Sequence, residues 1–285
     1  MSSYQSQDRS QAGPVGTASQ AQEIPGPALE QDVRAAIRSG QLRAYVQPLV
    51  DMHEPQRVVA AESLLRWQHP RYGVLAASQF LHMVERAGLL AEVDLATVAQ
   101  VTADLSALGE AGRQLGRIWV NISREELFAD QFLSAVVEAA ERAGLTAGRV
   151  GMEIGELVMH ADLERLNQQL ARVRRLGVAI AVDHVGLDPS LPFELSQVPL
   201  DAVILDRSLI EQIDQTGMVR RTVAAIVALA HVAGAAVVAK GVERLTQMSA
   251  LQEVGCDRAQ GYLLGRPVPI GELLGQQELT AIWWG

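Results

Sequence analysis

The sequence predicts an α/β protein built as a (β/α)8 barrel with an irregular start. Three observations predict it: eight short apolar segments recur along the chain, helical patterns separate most of them, and only the first two are joined by a short polar link. The segments are LRAYVQ (42–47), VVAAESLL (58–65), IWVNI (118–122), VGMEI (150–154), VAIAVD (178–183), DAVIL (201–205), AAVVA (235–239) and AQGYLL (259–264).

Residues 1–28 are rich in Ser, Gln, Gly and Pro and nearly free of large apolar side chains, so they cannot offset the entropy of ordering. They are expected as a disordered tail before a barrel domain over 29–285. The link DMHEPQR (51–57) is too short for a helix, so the first two strands are expected to pair as an antiparallel hairpin. After IWVNI, Ser123 and Glu126 have capping-box spacing and mark a strand-to-helix turn. Helical patterns at 130–144, 163–177 and 218–234 each end at a glycine, the residue that most easily takes the left-handed backbone beyond a helix. The run Thr222 to Ala239 is almost uncharged and nearly long enough to cross a bilayer, but His231 and Gly234 divide it into a helix-like and a strand-like piece. An open doubly wound sheet is the alternative architecture; no glycine-rich phosphate loop follows the first strand to support it.

Composition narrows the function. The chain has 285 residues, 48% hydrophobic, 20% charged and only 4% aromatic, which suits a layered protein filled with small branched side chains. A formal charge of −9 and a pI near 5.2 disfavour duplex nucleic acid, which needs a basic face, yet allow a small anion held locally. The single cysteine, Cys256, excludes an intrachain disulfide and reads as a buried thiol in a reducing compartment. The first residues lack the apolar core of a signal peptide, so a cytoplasmic protein with no membrane segment is expected.

The polar residues at strand ends point to chemistry. Glu62 lies within the second segment, Asn121, Glu153 and Asp183 lie near the carboxyl ends of later ones, and Lys240 and Gln260 belong to the last two. In a barrel these side chains converge on one mouth, where catalytic groups gather. Three carboxylates and an amide oxygen suit a hard cation such as Mg²⁺ or Mn²⁺.

These residues carry a resemblance. QPLVDMHEPQRVVAAESLLRWQHP (47–70), VNIS (120–123), MEIGE (152–156), VDHVG (182–186), LDRS (205–208), AKGVE (239–243) and AQGYLLGRPVP (259–269) resemble, in order and spacing, the EAL family of cyclic di-GMP phosphodiesterase domains. The resemblance covers about residues 29–272 and implies a modified (β/α)8, TIM-like barrel with an antiparallel first strand. It implies hydrolysis of one phosphodiester bond of cyclic di-GMP to the linear dinucleotide, assisted by two metal ions. By position it implies metal ligation by Glu62, Asn121, Glu153 and Asp183. It puts Gln260 on the site wall, Arg66 on a phosphate, and Gln47 and Leu64 under guanine. Glu156 falls on the acid that steadies the loop after Asp183, and Glu243, in the same turn as Lys240, is placed to accept from a guanine edge.

Three departures fall on the catalytic positions. The family's Asp-Asp pair reads Asp183-His184, its catalytic lysine falls on Ile204, and its glutamate in AEGVE is Lys240. Ile204 cannot orient or deprotonate a water. Lys240 moves the local charge by two units; at ~4 Å from a carboxylate and an effective dielectric near 20 the attraction is ~4 kcal/mol before desolvation. The family's Gly-Thr-Gly loop is replaced by GLDPSLPFEL (186–195) with two prolines, which puts dimerisation and metal coupling in question. The reading this supports is a degenerate, inactive or very weak domain that binds cyclic di-GMP in signalling. Two alternatives stand beside it. One is an active phosphodiesterase using Mg²⁺ or Mn²⁺, with His184 as a replacement ligand; the other is a nucleotide-independent adaptor whose protein partner is anchored by Trp283 and Trp284.

Overall fold

The structure, a computed structural model, describes residues 26–55, 57–155, 162–186 and 198–273. Helix α1 (Gly26–Ser39) begins inside the stretch 1–28 expected as a disordered tail; residues 1–25 lie outside the described residues. Then come β1 (Leu42–Asp51), β2 (Val58–His69), β3 (Gly73–Ala76), α2 (Ala77–Arg86), α3 (Leu90–Ala107), α4 (Gly109–Gln114) and β4 (Arg117–Ile122). They are followed by α5 (Arg124–Leu127), α6 (Asp130–Arg142), β5 (Val150–Gly155), α7 (Leu163–Arg175), β6 (Ala179–Val185), β7 (Ala202–Leu205) and α8 (Arg207–Gln212). The last elements are α9 (Gly217–Val232), β8 (Ala236–Lys240), α10 (Leu245–Glu253), β9 (Arg258–Gln260) and β10 (Val268–Pro269).

Strands β1, β2, β4, β5, β6, β7, β8 and β9 close into a barrel. β1 runs antiparallel to both of its neighbours in the ring, β2 and β9, while every pairing from β2 through β4 to β9 is parallel. The polar link after β1 makes this possible, because an antiparallel partner can be reached without a crossover helix. β3 and β10 add to the outside of β2 and β1.

All eight expected strands are present, and one is much shorter than its apolar run. β9 stops at Gln260 rather than continuing to Leu264. The cause is a close backbone approach: a Cβ at Gly261 would lie 2.0 Å from the Val242 carbonyl oxygen, and Leu264 N already bonds back to Gly261 O at 2.9 Å. The uncharged run after Thr222 divides as expected into α9 and β8, with Gly234 at φ 77° between them. Among the described residues no helix is long and apolar enough to cross a membrane.

Two apolar layers flank the barrel wall. Outside, valines and leucines of the strands pack under the helices; inside, Leu49, Ala60, Trp119, Ala179, Ala181, Ala202, Ile204 and Val238 fill the lumen. Small residues dominate there because an eight-stranded barrel leaves room for little more. Trp119 fits because its neighbour is Gly151, where a Cβ would come within 2.3 Å of the indole ring. Ile204 is 1% exposed and belongs to this filler, paired in register with Val238, so the next inward residue of β8, Lys240, rises just above it.

Candidate functional site

Strand alternation lifts the polar residues onto the rim above the apolar filler. Glu62 lies opposite Gln47 on β1, Asn121 beside Glu153, Gly155 beside Asp183, and Lys240 beside Gln260. Barrel closure then brings together residues far apart in sequence. Lys240 Nζ donates to Glu62 Oε1 at 2.9 Å, Glu153 Oε2 at 2.6 Å and Asp183 Oδ2 at 3.1 Å. The side chain of Lys240 is 13% exposed and those of the three acids 3% or less, so solvent screens this cluster little. Asn121 turns its amide nitrogen toward the same acid, donating to Glu62 Oε1 at 3.2 Å.

Competition between burial and charge sets the protonation of the cluster. Burial by itself disfavours the Lys240 ammonium, but Asp183, Glu153 and Glu62 outweigh it and raise its pKa well above the usual lysine value. Burial pushes Glu153 well above the carboxylate range, and the neighbouring Glu62 and Asp183 add to this against the pull of Lys240. Glu153 Oε1 is also buried without a hydrogen-bond partner among the described residues. Glu153 is therefore the acid most inclined to keep a proton. Burial opposes ionisation of Asp183 too, but there Lys240 and His184 win and its pKa is lowered.

His184 has φ 63°, the one positive φ outside glycine among the described residues. It sits where the β6–β7 register shifts, and its backbone N–H donates to Asp183 Oδ1 at 2.7 Å. Histidine is among the residues that tolerate this region. Its ring lies between two acids, with Nε2 3.7 Å from Asp183 and Nδ1 3.5 Å from Asp206. Burial lowers the His184 pKa, yet Asp183 and the Asp206 contact outweigh it and the net shift is upward. Asp206, which caps α8 through Ser208 N, is held down at about 2, chiefly by the His184 ring.

This pair makes a pH prediction. A raised histidine pKa adds stability that is complete below the unfolded value of about 6.5 and is lost as pH rises through the folded value. The stability gap between the wild type and His184→Asn, which also tolerates the left-handed backbone, is expected to be widest at pH 5 to 6 and to close above neutrality. Urea unfolding across that range checks it; a gap that widens with pH would contradict the ion pair.

Above the cluster opens a cleft of about 650 Å³ including its mouth, lined by Gln47, Glu62, Leu64, Asp183, His184, Lys240, Glu243 and Gln260 together with Asp206, Arg207 and Tyr262. Gln47 Nε2 donates to Gly265 O at 2.9 Å, and Gln260 Nε2 to Gln47 O at 3.5 Å. Arg66, one alternation beyond Leu64, is buried, donates to Leu65 O at 2.9 Å and does not line this cleft. Glu156, the prolines of 187–197, Trp283 and Trp284 lie outside the described residues.

Sequence reasoning missed three of the lining residues. Asp206 and Arg207 stand in the LDRS motif directly after β7, and their position there was the available signal. Tyr262 was hidden inside a run read as strand.

The rim does not fit a metal ion as it stands. The ammonium occupies the centre of the carboxylates expected to bind Mg²⁺ or Mn²⁺, within hydrogen-bond distance of all three, and the amide nitrogen of Asn121 donates to Glu62. A divalent ion needs oxygens at ~2.1 Å around the same point and cannot share it with a positive charge. Among the described residues no group of three or more His, Cys, Asp or Glu is arranged to hold a metal.

The fold and rim define the class of protein: a closed barrel with one reversed strand and acids lifted at the carboxyl ends of its parallel strands. The EAL domain model matches residues 30–267, and the chain belongs to this family. It is 33% identical over 245 residues to the cyclic di-GMP phosphodiesterase NbdA of Pseudomonas aeruginosa, covering 86% of this chain and 31% of that protein. It is 29% identical to the bifunctional diguanylate cyclase/cyclic di-GMP phosphodiesterase MucR of the same organism, over 85% of this chain and 35% of MucR. The chain thus spans about a third of the length of these curated relatives. Among solved structures, the MucR phosphodiesterase in complex with cyclic di-GMP superposes with a TM-score of 0.79 at 29% identity, covering 86% of this chain and 99% of that one. The FimX EAL domain of Xanthomonas citri, in complex with the same nucleotide, has a TM-score of 0.77 at 20% identity over 84% of this chain and 93% of its own, which shows a shared fold.

Proposed function

We propose that this EAL domain binds cyclic di-GMP and does not hydrolyse it, acting as a receptor for the nucleotide. The observation that carries this reading is the Lys240 ammonium held by Glu62, Glu153 and Asp183. It fills the position of the cation with its three N–H donors taken by the three carboxylates, and it supplies no Lewis acidity and no means of lowering the pKa of a water. Directly beneath it, Ile204 contributes only packing where the family carries a lysine. Losing a general base costs ~10²–10⁴-fold, and losing the nucleophile-generating group costs more, so turnover is expected to be negligible.

The nucleotide-facing side of the cleft supports binding. Leu64 offers an apolar floor, Gln47 and Gln260 offer amides, and Glu243 offers a carboxylate at the mouth. No part of this reading uses a metal ion, so chelators should not weaken binding. Isothermal titration of cyclic di-GMP in EDTA and again in Mn²⁺ tests this, with chromatography of the same samples after long incubation. Saturable heat at tens of micromolar or below in both buffers, without linear dinucleotide, is the expected result. Absent heat would overturn binding, and linear dinucleotide would overturn the loss of catalysis.

A further inference from the structure

We propose that Arg207 sets the base selectivity of the cleft by holding Glu243 as the acceptor for a guanine edge; this deepens, and rests on, the reading of the cleft as a cyclic di-GMP site. Arg207 is clamped between two elements. Its Nε donates to Glu211 Oε1 at 2.8 Å on its own helix, and its Nη2 to Glu243 Oε1 at 3.0 Å in the turn after β8. The clamp depends on Gly241, whose φ of 84° and missing side chain leave space for the arginine stem; a Cβ there would sit 3.2 Å from Arg207 Cγ.

Glu243 is thereby fixed twice. Gln247 Oε1 accepts from its backbone N–H at 2.8 Å, and Arg207 takes one carboxylate oxygen. Among the described residues Glu243 Oε2 accepts no hydrogen bond, and the residue lines the cleft. An ionised carboxylate is an acceptor only, with about four lone-pair sites, so the bond to Arg207 leaves capacity for two more donors. Guanine presents two adjacent donors, N1–H and the exocyclic amine. Adenine presents one donor beside a ring-nitrogen lone pair, which a fixed carboxylate repels. A site built around a placed hydrogen bond discriminates far more strongly than one built on apolar fit. A carboxylate free to rotate away would lose that discrimination, which makes Arg207 a positioning residue acting through Glu243.

The test titrates cyclic di-GMP and cyclic di-AMP into the wild type, Arg207→Met and Arg207→Lys. The Arg207 ion pairs are partly exposed and add little stability, so both variants are expected to fold. The expected result is a narrowing of the preference for cyclic di-GMP by about tenfold in Arg207→Met, the order of one charge-assisted hydrogen bond, with affinity for cyclic di-AMP unchanged or raised. Arg207→Lys should keep part of the preference. An unchanged preference in Arg207→Met, or an equal loss for both nucleotides, would overturn the role of Arg207 alone. A wild type that binds neither nucleotide would overturn the reading of the cleft, and with it this inference.

Discussion

Lys240→Met is expected to destabilise the protein by about 3–5 kcal/mol at neutral pH, because removing one partner from a buried ionic cluster leaves the other charges uncompensated. Here three carboxylates, each nearly inaccessible to water, lose a cation that bonds to all of them. For a domain of this size that corresponds to a melting temperature lower by on the order of 10 °C. The deficit should shrink as the solution is acidified, since protonation relieves the repulsion, and Glu153, already pushed upward by burial, should take up the first proton. Added Mn²⁺ should restore part of the lost stability in this variant by entering the vacated centre. Denaturant unfolding at pH 5 and pH 7, with and without Mn²⁺, measures all three. A loss below about 1 kcal/mol at neutral pH, the level of an exposed ion pair, would show that the cluster is solvated rather than buried.

Restoring His184→Asp, Ile204→Lys and Lys240→Glu together is expected to produce metal-dependent hydrolysis of cyclic di-GMP from an inactive start, a gain of at least ~10²–10⁴-fold over the wild-type background. Lys240→Glu must be part of any active combination, because while the ammonium stands among Glu62, Glu153 and Asp183 no cation can take their oxygens. Ile204→Lys alone should cost stability and give no activity, since it puts an amine into the filler layer shared with Leu49, Ala60 and Val238. Linear dinucleotide measured by chromatography reads the outcome. Activity in a variant that retains Lys240 would contradict the assignment of this residue as the replacement for the cation.

Much of the fold was legible because parallel barrel strands, buried on both faces, read as runs of Val, Ile and Ala. The reversed β1 was legible from the shortness of the 51–57 link. The over-long reading of β9 passed over the glycine inside AQGYLL, which marks a close backbone approach; the group approached, the Val242 backbone, is distant in sequence. At the site, the acids of the strand ends and the charge reversal at Lys240 were visible residue by residue. Their meeting at one nitrogen was not, since Lys240 lies 178, 87 and 57 residues from Glu62, Glu153 and Asp183 and only closure brings them together. The left-handed backbone of His184 and the Arg207 clamp escaped for a similar reason: each depends on where a neighbouring strand or turn passes, not on its own residue type.

The central claim is that the side chain of Lys240 stands where a divalent ion would otherwise bind. The most direct test is Mn²⁺ titration followed by electron paramagnetic resonance, run in parallel on the wild type and Lys240→Glu. In the wild type the signal of the free aqua ion should persist from the first addition, while Lys240→Glu should remove about one equivalent before free ion appears. Tight uptake of Mn²⁺ by the wild type, reversed by cyclic di-GMP or lost in Glu153→Gln, would place a metal in the cluster and contradict the account.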